Sequence, residues 1–340
     1  MQRLMLRARA ILRDALKPVT GAIVGGITVG LLKLVRNFDP DKTADFFASV
    51  TRTIGPWFPE QKTGRANLKA AFPAKSPEEI EAILAGVWDN LGRVGAEFAQ
   101  LDRLWDFDED HPGVGRIEIP PDSVERFRTV RGDGKGALFF ACHLANWELP
   151  ALTGPACGLE SAILFRRPNV AAVDRAVQNI RALNMGTMIA TTHDAPLRIA
   201  QALQNGVHVG MLVDQYFGRG VDVTFFGRKT KANPLLARLA RQVEVPIHGA
   251  RIVRLPNHRF RTELSEEVTP VRDAEGKIDI QGTMQAVTTV IEGWVREHPE
   301  QWLWLHRRWR CLPASLHARP QPVDRALRGR ISGGNDEQAI

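Results

Sequence analysis

Past residue 40, apolar positions alternate between two patterns: stretches that recur about every three to four residues, and short unbroken runs. The first predicts amphipathic helices and the second buried strands, so the alternation predicts an α/β sheet with helices on its faces. In SPEEIEAILAGVWDNLGRVGAEFAQL, Ser76 is placed to cap a helix that carries Pro77 and acidic residues in its first turn and runs to about Leu101. GALFFAC (136–142) and VHVGMLVDQ (207–215) read as buried strands. Between them, VAAVDRAVQNIRALNMG reads as a helix and APLRIAQALQNG as a helix with a glycine stop. NPLLARLARQVEV sets Asn233 as a cap and Pro234 at the first helical position. Strands follow in PIHGARIVRL and RFRTELSEEV, then a helix from about Ile280 to Glu297.

The two ends of the chain differ from this middle. In RLMLRARAILRDALK, Leu4, Ala8, Ile11, Leu12 and Leu16 share helical spacing with Arg3, Arg7, Arg13 and Lys17 between them, the pattern of a basic amphipathic helix suited to an anionic membrane surface. The uncharged segment from Pro18 to Leu32 is shorter than the roughly 20 residues needed to cross a bilayer upright. A shallow or monotopic anchor is therefore the expectation, and Gly21, Gly25, Gly26 and Gly30 add spacing suited to close helix packing. After Cys311, apolar periodicity gives way to Pro, Gly and charge. The expected organisation is a membrane-associating helical segment (1–40), an α/β domain (41–312) and a flexible tail (313–340).

A 340-residue chain with 44% hydrophobic residues has ample material for a core, and its net charge of +7 favours anionic partners: phospholipid surface, phosphorylated lipid, an acidic carrier protein or nucleic acid. Cys142, Cys157 and Cys311 are odd in number and lack C-x-x-C spacing, which excludes a zinc knuckle and a disulfide framework as readings and suits a reducing compartment.

The stretch HLANWELP carries the best candidate chemistry. If ALFFAC is a strand, His143 lies at its carboxyl end, where open α/β sheets place catalytic groups, and Pro150 starts a helix nearby. Across such a turn Glu148 can approach His143, whereas on one continuous helix five residues would rotate the two by about 140°. An imidazole beside a carboxylate can take a proton from a hydroxyl, and the helix N-terminus can steady a developing negative charge. Cys142, adjacent to His143 on a strand, points to the opposite face and belongs to the core. The sequence contains no G-x-S-x-G elbow and no H-E-x-x-H, and RGDGKGA precedes a strand, as a turn does, instead of following one as a phosphate loop would.

HLANWE, with its following proline, resembles the HxxxxD/E block of the lysophospholipid acyltransferase superfamily, in the branch of the late acyltransferases of lipid A synthesis. RANLKAAFP and WDNLGRVGAEF resemble upstream blocks of that branch. FRRPNVAAVD resembles the next, with Arg166 and Asp174 matching and Val170 and Ala171 where the family has Asn-Pro. VGMLVDQ with VTFFG matches at Asp214, Gln215, Phe226 and Gly227, and HPEQWLWLHRRWR at Glu300, Gln301, Trp304, His306 and Arg308. The resemblance implies a single mixed sheet of the lysophospholipid-acyltransferase type at the cytoplasmic face of the inner membrane. It implies transfer of an acyl chain from acyl carrier protein, or less readily acyl-CoA, to a hydroxyl of a phosphorylated glucosamine-disaccharide lipid, with no cofactor, metal or nucleic acid.

In that scheme His143, oriented by Glu148, is the base. Arg166 is the first candidate for phosphate or oxyanion contact, ahead of Arg167, Arg228, Lys229 and Lys231. Asp174 and Asp214 orient Arg166 or the acceptor, unless Asp214 caps the turn after its strand. Gln215 and Arg308 complete the expected substrate-binding set. Trp302 and Trp304 are expected in the core, and on a strand they share a face with His306. Two alternatives stay open: an acyltransferase for a glycerophospholipid or aminolipid, and a non-catalytic basic membrane-binding protein.

Overall fold

The computed structural model describes residue 22 and residues 25–108, 110–111 and 113–310. A first helix, α1, covers residues 25–35 and leads into α2 (Pro40–Ile54), α3 (Glu60–Ala71) and α4 (Pro77–Phe98). The start of α4 is written in its sequence: the Ser76 hydroxyl accepts from the Glu79 N–H while the Glu79 carboxylate accepts from the Ser76 N–H, a reciprocal capping box followed by Pro77. Asp39 caps α2 in a related way, accepting from the N–H groups of Asp41 and Lys42.

The α/β part begins with β1 (Ile117–Glu118) and α5 (Pro121–Gly132), then β2 (Leu138–Ala141), α6 (Leu149–Ala156), β3 (Ser161–Phe165), α7 (Ala171–Asn184), β4 (Thr187–Ala190), α8 (Ala195–Gln204) and β5 (His208–Leu212). An antiparallel hairpin of β6 (Val221–Phe225) and β7 (Arg228–Ala232) intervenes, turning through Phe226 and Gly227, both in the left-handed region. After it come α9 (Leu235–Val243), β8 (Ile247–Arg254), β9 (Phe260–Glu267) and α10 (Ile280–Glu297). Seven strands form one mixed sheet in the order β1-β9-β8-β2-β5-β3-β4. Strands β8, β2, β5, β3 and β4 run parallel, and β9 is antiparallel to β8.

Period-two alternation sorts side chains to the two faces. Leu138 and Phe140 pack with Ile199 of α8, Leu236 of α9 and Val287 of α10, whereas Phe139 joins Phe127 of α5 and Leu149 and Leu152 of α6. Each such buried side chain contributes about 1.5–3 kcal/mol relative to exposure.

The mixed sheet flanked by helices agrees with the sequence expectation. The separate β6–β7 ribbon and the short β3 and β4 were not marked by it. The Trp302–His306 stretch is no strand: it makes a single antiparallel bridge, Leu144 to Trp302, and then turns. Both tryptophans are nonetheless buried, with rings 4.6 Å apart edge to face. Gly25 of α1 lies close against the start of α7, where a Cβ would meet Val170 and Ala172 at 3.0 and 3.1 Å, while Gly26 and Gly30 face open space. Ile27, Leu31, Leu34 and Phe38 are exposed. Among the described residues no helix is long and apolar enough to cross a membrane. The basic helix expected over residues 3–17 and the tail over 313–340 lie outside the described residues.

Candidate active site

Strand β2 delivers His143 to the carboxyl end of the parallel strands, and α6 starts at Leu149 with Pro150 in its first turn, as the sequence expects. The corner between them, residues 142–148, is tightly determined. Ala145 takes a positive φ of 47°, a conformation costly for a residue with a Cβ, and it is fully buried. Its carbonyl accepts from Asn90 Nδ2 at 3.0 Å and its N–H donates to the Gln301 carbonyl at 2.9 Å. Asn146 Nδ2 donates to Glu97 Oε2 at 2.9 Å, and Arg254 pairs with the same Glu97. Asn90 and Glu97 are seven residues apart on α4, two helical turns, so one face of α4 grips the corner. Leu303 N–H donates to the His143 carbonyl at 3.0 Å, and Asn67 of α3 holds the carbonyls of Trp304 and His306 at 2.8 and 2.7 Å.

His143 is fixed from below by Asp214, which follows β5. The His143 N–H donates to Asp214 Oδ2 and its ring Nδ1–H to Asp214 Oδ1, both at 2.8 Å, while Trp302 Nε1–H donates to Oδ2 at 2.8 Å. Burial alone would raise the Asp214 pKa, but the imidazole and these donors hold the carboxyl well below the usual range. An ionised carboxylate only accepts, so Nδ1 carries a proton, and in the neutral ring the lone pair is on Nε2. Gln215 Nε2 stands 3.4 Å from that Nε2. For His143, burial works downward, while Asp214 and to a lesser degree the charge of Glu148 work upward and prevail, leaving the imidazole above its ordinary pKa.

Glu148 has a different partner from the one expected. Its carboxylate accepts a two-point contact from Arg181 of α7, Nε at 2.9 Å and Nη2 at 2.6 Å. The orienting contact to His143 that the sequence assigned to Glu148 is supplied by Asp214. Arg181 also lies over the rings of Phe98 and Phe165 at 5.6 and 5.9 Å. Sequence reasoning missed Arg181, which sits 33 residues from Glu148 inside an ordinary helical pattern.

His143, Trp147, Glu148, Arg166, Arg181 and Gln215 line the polar part of a cavity of about 640 Å³. From there it continues between the sheet and α6, past Phe139, Ile163, Phe165 and Met185. Arg166 is exposed, with Nη2 3.2 Å from Asn169 Oδ1. Asp174 sits in the first turn of α7, is not among the cavity-lining residues, and has Oδ1 buried without a hydrogen-bond partner. Arg308 is 1% exposed and lies behind the site: Nη1 donates to Thr230 Oγ1 at 3.2 Å and to the Lys231 carbonyl at 3.0 Å, over the Phe225 ring. Burial pulls its pKa down to about 10, with the Asp214 charge opposing. His306, its ring centroid 6.5 Å from that of His143, is pulled by burial to about 4 and is neutral. Of the weaker phosphate candidates, Lys231 pairs with Asp222 at 2.9 Å, Arg228 lies over Trp309 at 5.7 Å, and Arg167 and Lys229 are not among the cavity-lining residues. Burial pushes the Cys142 thiol up, in keeping with a core position. Among the described residues no group of three or more His, Cys, Asp or Glu is placed to hold a metal ion.

Fold and site together define an α/β protein with a histidine–aspartate pair at the sheet's carboxyl end, opening on a largely apolar cavity. Residues 14–311 match the bacterial lipid A biosynthesis acyltransferase family, so the chain belongs to that family and is an acyltransferase of lipid A-type substrates. Comparison with curated proteins found no match.

Proposed function

We propose that the protein moves a fatty acyl chain from an acyl carrier protein thioester to a hydroxyl of a phosphorylated lipid A precursor at the cytoplasmic face of the inner membrane. One observation carries the mechanism: His143 Nδ1 lies 2.8 Å from Asp214 Oδ1 and donates to it, so the neutral ring of this cavity-lining residue has its lone pair on Nε2. His143 Nε2 then removes the proton of the acceptor hydroxyl. The resulting alkoxide attacks the thioester carbonyl; the tetrahedral adduct collapses, breaks the C–S bond and expels a thiolate, which recovers the proton from the imidazolium. Asp214 stabilises that imidazolium without itself becoming protonated.

The neighbouring groups support the reading. The apolar length of the cavity suits a hydrocarbon chain, whose burial is favoured in proportion to area. Arg166 at the cavity suits a phosphate or the developing oxyanion, and the Gln215 amide is the neutral donor nearest the base. Glu148 and Arg181 together form a fixed wall beside His143, because a bidentate pair holds both side chains in one geometry. The exposed apolar residues of α1 and the net positive charge suit an anionic lipid surface and an acidic carrier.

The test is a purified full chain with acyl carrier protein thioester and a phosphorylated lipid A precursor, products read by mass spectrometry. Transfer by the wild type and its loss in His143→Ala, with folding retained, is the expected result. Equal transfer by His143→Ala removes the base from the mechanism, and transfer only from acyl-CoA replaces the carrier protein as donor.

A further inference from the structure

The cavity floor is built from three adjacent parallel strands, and its residues stand in rows. Gly210 of β5 is paired in register with Phe139 of β2 on one side and Ile163 of β3 on the other. Registered residues of neighbouring strands point to the same face, and Phe139 and Ile163 both belong to the α5–α6 side, where the cavity runs. The row nearer His143 holds Ala141 paired with Leu212, and the row further away holds Ser161 paired with His208. All these residues line the cavity. In the middle row, two bulky side chains flank a position with none, so the floor dips at Gly210, narrowed on one side by Ile163 Cδ1. A Cβ there would already meet Ile163 Cδ1 at 3.0 Å, and anything larger would stand in the dip.

The far row differs in chemistry. His208 is 5% exposed and Ser161 8%, and His208 Nδ1 and Ser161 Oγ have no hydrogen-bond partner. Burial holds the His208 imidazole below its ordinary pKa. A methyl terminus brought against such groups gains little, because it can satisfy neither of them.

We infer that Gly210 sets the length of the acyl chain the enzyme accepts, by leaving open a passage that ends at the polar row of Ser161 and His208. The inference rests on the acyl-transfer reading above. By the strand rise of about 3.3 Å per residue, Gly210 lies four residues, or about 13 Å, below the level of Asp214 and His143, and His208 lies six residues, or about 20 Å, below it. A staggered hydrocarbon with C–C bonds of about 1.5 Å advances about 1.3 Å per carbon, which puts about 10 carbons at Gly210 and about 15 at His208.

The experiment supplies the full-length enzyme with a mixture of saturated acyl carrier protein thioesters of graded length and one lipid acceptor, and reads chain length in the product by mass spectrometry. Wild type is expected to favour chains that reach the His208 row. In Gly210→Leu the ratio of long to short chains transferred is expected to fall about tenfold or more, with the break near about 10 carbons, since a pocket discriminates chains steeply where a methylene clashes. Gly210→Ala is expected to shift the ratio in the same direction by less, and it carries the test if the leucine variant does not fold. An unchanged ratio in the folded variants, or an equal loss at every length, overturns the inference while leaving the acyl-transfer reading intact. Wild-type enzyme that transfers no chain of any length sinks that reading itself, and the inference with it.

Discussion

Two carboxylates lie within the reach of one imidazole's field, and the protein treats them differently. Asp214, at the end of β5, has a fully buried side chain and three neutral-type donors around it: two from His143 and the indole of Trp302. Glu148, at the start of α6, is locked by a guanidinium and hydrogen-bonds Arg181 at both oxygens. A carboxylate surrounded by dipolar donors keeps a net charge to act on its neighbour, whereas one neutralised by arginine mainly fixes position. The aspartate therefore holds the Nδ1 proton of His143 and is the main upward pull on its pKa, and the glutamate adds a smaller pull and chiefly fixes the shape of the site beside it.

Breaking the first half of this comparison has the largest expected effect. His143→Ala is expected to reduce turnover by about 10³–10⁴, the upper range for losing a general base, in an acyl-transfer assay on folded protein. Asp214→Asn is next, with a loss of about 10²–10³. Its reason is specific: Oδ2 receives two donors, so an asparagine would turn its oxygen there and set its NH₂ against Nδ1. That arrangement moves the imidazole proton to Nε2 and removes the lone pair, which ¹⁵N NMR of the ring reads directly.

Glu148→Ala and Arg181→Ala sharpen the second half. Each is expected to lower turnover by about 10–100-fold through lost positioning, and the double variant should be no worse than the poorer single one, because the two side chains act as a unit. If Glu148 instead acted on His143 directly, Arg181→Ala would retain most activity and the two losses would multiply. Smallest is Trp302→Phe, which removes one donor from Asp214 and is expected to cost about 1.5–3 kcal/mol in urea unfolding, with only a few-fold change in rate.

Why the sequence revealed one partner and hid the other follows from what it encodes locally. The limits of α10 are set by Asp279, which caps the N–H groups of Gln281 and Gly282, and by the apolar stripe that follows; both are visible in a short window. The place of His143 was equally legible, since a buried run ending before a Pro-started helix defines a strand-to-helix corner. The pairing of that histidine was not. Asp214 lies 71 residues on and Arg181 lies 33 residues from Glu148, and the contacts exist only because β5 inserts between β2 and β3 and α7 folds back over the corner. Sequence proximity made Glu148 the natural partner; strand order made it Asp214. Strands β3 and β4 are no shorter than β5 and β2, but polar residues closely bound their apolar runs, Ser161 and Arg166 for one and Thr187 and Thr191 for the other, and this left them unmarked. Blocks that looked like separate motifs, Asn67, Asn90 and the Trp302 segment, turn out to be the clamps of a single corner.

The most direct measurement is the pH dependence of kcat/KM for acyl transfer in wild type and Asp214→Asn. A base must be unprotonated, so activity rises with pH through the imidazole's pKa, and the Asp214 charge places that rise above the ordinary value of about 6.5. Removing the charge is predicted to move the acid limb to lower pH while depressing the plateau. The same acid limb in both proteins, or a profile with no group titrating near the imidazole range, would contradict the assignment of His143 and Asp214 as the catalytic pair.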